Sequence, residues 1–100
     1  MFLGAYHFDG AAAALVEAYD RMRAFFPPDA FAFHACVVTD GGITVFDGCP
    51  SRADFATFST GPQFRGAVAA AGLRTPRIEP LGEVHAAVAN AAAMGEVRAR

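Results

Sequence analysis

The apolar positions at the start of the chain fall on two parities. Phe2, Tyr6 and Phe8 lie on one, and Leu3, Ala5 and His7 on the other, the pattern of a strand buried on both faces. A first strand is therefore predicted over 1–8. Asp9-Gly10 breaks the pattern and can cap a helix over 11–26, in which Leu15, Val16, Tyr19, Met22 and Phe26 recur at helical spacing while Glu17, Asp20 and Arg21 lie opposite. Pro27-Pro28-Asp29 ends that helix. Two β-rich runs, 31–38 and 43–48, flank Thr39-Asp40-Gly41-Gly42, and Asp-Gly or Gly-Gly at such a junction is a hairpin signal.

Ser51 with Asp54 reads as a capping box that opens a helix carrying Phe55 and Phe58 on one side. Thr60 with Gln63, and Pro62 between them, reads as a second box, so this helix is expected in two pieces joined at Gly61. Phe64, Val68 and Ala71 continue the buried stripe to Gly72, a C-terminal cap. After Pro76 and Pro80, the run 81–88 is predicted as a fourth strand, and 89–100 as an alanine-rich tail, helical or disordered. The order strand, helix, strand, strand, helix, strand is an α+β, ferredoxin-like arrangement over 1–88: a four-stranded antiparallel sheet with both helices on one face. The other sheet face is also largely apolar, and a second subunit packed sheet to sheet is the expected cover.

Composition narrows the function classes. With 54% hydrophobic and 18% charged residues among 100, the chain has the make-up of one folded domain. Its eight basic residues are all arginine, and the net charge of −2 leaves no footprint for nucleic acid. No run reaches the ~18 apolar residues of a membrane span, and no leader pattern opens the chain, so a cytoplasmic location is expected. Cys36 and Cys49 are too few for a disulfide scaffold.

The stretch Phe55-Ala56-Thr57-Phe58-Ser59-Thr60-Gly61-Pro62-Gln63-Phe64, with the order of elements over 1–88, resembles the antibiotic biosynthesis monooxygenase superfamily. That resemblance implies a homodimeric α/β barrel with a small apolar cavity per subunit. It further implies a small aromatic or polyketide-like ligand and cofactor-free oxidation. Phe58 stands where family members often place a His, tryptophan is absent, and Asn90 is the sole Asn. Haem degradation is therefore disfavoured, and no cofactor is implied.

His7, His34 and His85 each fall on a predicted strand. In the sheet order 4-1-3-2 the strands of His34 and His85 are about 14 Å apart, too far to share a zinc ion held at ~2 Å from each ligand. A two-residue hairpin turn places His34, Cys36, Val45, Asp47 and Cys49 on one face, and Phe33, Ala35, Val37, Thr44 and Phe46 on the other. The Asp40-Gly41 turn sets His34 opposite Asp47, whereas the Gly41-Gly42 turn sets it opposite Cys49. In the functional reading Asp47 orients His34, whose free nitrogen takes a proton from a phenol or an activated C–H. The competing reading is a polar pairing on an edge strand. The cavity is expected between the sheets of a dimer or between the sheet and its own helices. Glu83 and His85 are expected to face that dimer cavity, with His7 near His85. Catalytic candidates are thus His34, Asp47 and His85, and ligand-contact candidates are Tyr6, His7, Tyr19, Cys36, Cys49 and Glu83. Tyr6 and Tyr19 stand out among the aromatics because a buried phenol needs a hydrogen-bond partner, which a ligand can supply. A non-catalytic dimeric binding or interaction module is the alternative.

Overall fold

In the computed structural model, which describes residues 1–94, the chain forms β1 (Phe2–Asp9), α1 (Ala12–Arg23), β2 (Phe33–Thr39), β3 (Gly42–Cys49), α2 (Arg52–Ser59), α3 (Pro62–Ala70), β4 (Arg77–Glu83) and one further turn, α4 (Ala91–Met94). The strands build one antiparallel sheet in the order β2-β3-β1-β4. This is an α+β fold with ferredoxin-like topology, its second helix in two pieces. The part of the predicted tail beyond Met94 lies outside the described residues. Among the described residues no helix is long and apolar enough to cross a membrane.

The helix side of the sheet is set by parity. Phe2, Tyr6 and Phe8 of β1 and Ile43 and Val45 of β3 are buried beneath the helices, against Met22 of α1, Phe55 of α2 and Phe64 and Val68 of α3. Burying an aromatic or branched side chain of this size contributes roughly 1.5–3 kcal/mol. Gly4 interrupts the row because the Phe55 ring occupies the place where its Cβ would stand. On the opposite face Ala5 and Thr44 are already buried in the single chain, while Phe33, Val37 and Leu81 are exposed.

Several local expectations are corrected. α1 opens at Ala11, which makes no side-chain cap, so Asp9 does not cap it. Ser51 does cap α2, accepting from the Asp54 amide at 3.1 Å. Thr60 instead closes α2 by donating to the Ala56 carbonyl at 2.7 Å, and α3 starts at Gly61 without a side-chain cap. The fourth strand runs over Arg77–Glu83, earlier than the predicted 81–88. Pro80 does not exclude this segment, because β4 is an edge strand and its missing N–H breaks no interior ladder. A bulge between Leu3 and Gly4 then shifts the β1–β4 register.

Candidate functional site

β2 and β3 are joined by the two-residue turn Asp40-Gly41, since Thr39 pairs with Gly42, and the register sets His34 directly opposite Asp47. Both point to the helix side, so the cavity they line lies between the sheet and its helices and not between two sheets. Asp47 is 2% exposed. A carboxylate so buried requires a partner, and Oδ1 receives one from His34 Nδ1 at 2.5 Å.

The other ring nitrogen faces α1. The stripe of Leu15, Ala18, Tyr19 and Met22 packs that helix onto the core and carries the Tyr19 hydroxyl to His34 Nε2, where the two are hydrogen-bonded. In the neutral Nδ1–H tautomer, which donates to the carboxylate, Nε2 is the acceptor and the phenol donates to it. Burial, followed by the nearby Cys36, pushes the Tyr19 hydroxyl up to about 12, against the opposing pull of Arg23. Tyr19 therefore stays a neutral phenol. The rings of Tyr19 and Phe31 both lie near-parallel to the imidazole, with centroids 5.8 and 5.6 Å away.

The space beside this relay is narrow. It measures about 10 Å³ and is walled by Tyr6, Phe26, Phe31, Phe58, His34 and Asp47, with Arg23 at its edge; that is roughly the room one water needs. Phe31 and Phe58, packed edge to face at 5.2 Å, separate it from a surface cleft of about 340 Å³ that also touches Cys49, Pro50 and Asp54. Tyr6 is 1% exposed, and its hydroxyl is a buried side-chain polar atom without a hydrogen-bond partner among the described residues. Burial first, then the charge of Asp47 and the Cys49 thiol, raise it well above the ordinary phenol range.

The remaining candidates are dispersed. His7 lies on the outer face, bonded to Thr44 Oγ1 at 3.0 Å and Glu79 Oε1 at 2.8 Å. His85 lies beyond the end of β4, exposed, in a hollow with Leu3 and Glu83 at the opposite end of β1, so it neither joins His34 nor approaches His7. Glu83 pairs across the sheet with Phe2 and forms an ion pair with the N-terminal ammonium at 3.2 Å. The bulge moves it off the outer-face parity expected for it. Cys36 and Cys49 are free thiols on the helix side. Burial, then Asp20, raises Cys36 to about 11, while burial, then Asp47 and Asp54, raises Cys49, so both are poor nucleophiles at neutral pH. Sequence reasoning missed Arg23 and the Phe31–Phe58 partition. The aromatic spacing signalled packing, but nothing in it marked which rings border a cavity. Compared with family models, with curated proteins and with solved structures, the chain matches none.

Proposed function

We propose that the His34–Asp47 pair is a proton-accepting site for a small hydroxylated aromatic molecule bound between the sheet and the helices. One observation carries the reading: the chain's own phenol, Tyr19, is already hydrogen-bonded to His34 Nε2 while buried Asp47 holds Nδ1. A ligand phenol has the same donor chemistry. It takes the position of Tyr19 once the rings of Phe31 and Phe58 part, and its body occupies the cleft beyond them. Phe31 sits on the connection between α1 and β2, outside any helix or strand, where such a movement breaks no ladder.

The likeness of the element order and of the stretch from Phe55 to Phe64 to the antibiotic biosynthesis monooxygenases supplies a finer form. His34 takes a proton from the ligand, the resulting electron-rich anion reduces dioxygen, and a carbon–oxygen bond forms. The hydroperoxide then loses water, so one oxygen atom ends in a quinone carbonyl and the other in water. A second copy of the chain packed on the outer sheet face belongs to the same proposal. It would cover Phe33, Val37 and Leu81, which a lone subunit leaves in water.

The test is aerobic incubation with a hydroxylated anthrone, following oxygen uptake and quinone absorbance. The proposal expects one dioxygen per quinone, a loss of roughly 10²- to 10⁴-fold in His34→Ala, and a smaller loss in Asp47→Asn, which retains an acceptor for Nδ1. Saturable binding without oxygen uptake would remove the oxidation step and favour the alternative, a non-catalytic binding module. The small size of the cavity speaks for that second reading. Failure to bind any hydroxylated aromatic would remove both.

A further inference from the structure

Tyr6 and the His34–Asp47 pair border the same cavity, yet their polar atoms are in opposite situations. Both ring nitrogens of His34 are engaged. The Tyr6 hydroxyl, on the central strand and packed between Phe55 and Phe64 with ring centroids at 5.5 and 4.6 Å, has no protein partner among the described residues. A buried hydroxyl without a partner costs stability, and a phenylalanine would fill the same aromatic niche without that cost. The hydroxyl is also held as a neutral donor, because burial and the Asp47 charge both oppose its ionisation. What it lacks is an acceptor, and apart from His34, Asp47 and Arg23 the residues around the cavity are apolar.

We propose that Tyr6 is a specificity-determining residue of this site, donating a hydrogen bond to an uncharged carbonyl oxygen of the ligand, so that the site selects hydroxylated aromatic ketones or aldehydes over simple phenols. His34 reads the donor hydroxyl of the ligand and Tyr6 reads its acceptor oxygen. This inference rests on the proposed function, since it needs the same cavity to admit a phenol. A carboxylate is disfavoured in the carbonyl position by the charge of Asp47 close by.

The test compares near-isosteric pairs, 3- and 4-hydroxyacetophenone against 3- and 4-ethylphenol, by titration calorimetry on wild type, Tyr6→Phe and His34→Ala. At least one ketone is expected to bind wild type roughly 2- to 10-fold more tightly than its ethyl counterpart, the range of a single neutral hydrogen bond. Tyr6→Phe brings that ratio to about one, leaves ethylphenol affinity unchanged, and keeps or raises the melting temperature. His34→Ala weakens both members of each pair. Ethylphenols that bind wild type as well as the ketones, or a preference that survives in Tyr6→Phe, would overturn the role of Tyr6 and leave the proposed function standing. Wild type that binds none of the four would overturn the proposed function and this inference with it.

Discussion

At the scale of single residues, Asp47, His34 and Tyr19 form a continuous hydrogen-bonded chain, carboxyl to imidazole to phenol. The phenols and thiols around it carry a pH dependence with a definite sign. Tyr19 is raised from 10.0 to about 12 and Cys36 from 9.0 to about 11, with Tyr6 and Cys49 raised as well. In each case the folded state holds its proton at pH values where the unfolded chain has lost it. Their contribution to stability is therefore complete below about pH 9 and is lost as pH rises toward 11 and 12. The melting temperature should fall steadily above pH 9. The tyrosinate absorbance, which comes from Tyr6 and Tyr19 alone, should appear together with unfolding instead of before it. A tyrosinate signal near pH 10 with the circular dichroism intact would contradict this burial.

Among the elements, the end of α3 shows how local chemistry fixes the fold. Leu73 N donates to Val68 O and Gly72 N to Ala69 O, both at 3.0 Å, with Gly72 at φ +82°, the paired bonds of a left-handed helix stop. Gly72→Ala should cost about 1 kcal/mol. Gly66→Ala, within the same helix and facing open space, should stabilise by roughly 0.5–1 kcal/mol. Urea denaturation of the two variants checks the opposite signs. Such signals are also what the sequence reveals best. Asp40-Gly41 and strand alternation offer the register that sets His34 opposite Asp47, Gly41-Gly42 offers a second that sets it opposite Cys49, and only the pairing of Thr39 with Gly42 decides between them. The partner of Tyr19 was not legible, because it depends on how α1 is rotated over the sheet. β4 was displaced in the reading because Pro80 looks like a strand breaker until its edge position is known. The bulge at Leu3/Gly4, which redirects Glu83, follows from pairing across some eighty residues of chain and has no local signature.

For the whole molecule, helices cover most of one face of the sheet, leaving Val38 exposed on it, and the other carries Phe33, Val37 and Leu81 in solvent. A domain of 100 residues buries a modest share of its surface alone, and two-fold dimers are the commonest way for a chain to cover such a face with itself. Sedimentation analysis over a concentration series should show a dimer, and Val37→Glu, which replaces a side chain exposed in the single chain, should return it to a folded monomer. A monomer at every concentration would contradict this packing. The helix-side cavity is independent of that outcome, because Asp47, His34 and Tyr6 line it from the sheet of one chain and Tyr19 reaches His34 from that chain's own α1. The claim that this cavity admits a phenol at His34 is tested most directly by ¹⁵N-edited NMR of the histidine rings during titration with 4-ethylphenol, in wild type and in Tyr19→Phe. Before ligand is added, His34 should show a proton on Nδ1 and an acceptor at Nε2. On titration its Nε2 resonance should move saturably while those of His7 and His85 stay in place, and Tyr19→Phe, which removes the competing phenol, should saturate at lower ligand concentration. An Nε2 resonance that does not move in either protein, up to the solubility limit of the phenol, would contradict the assignment of this cavity as a ligand site.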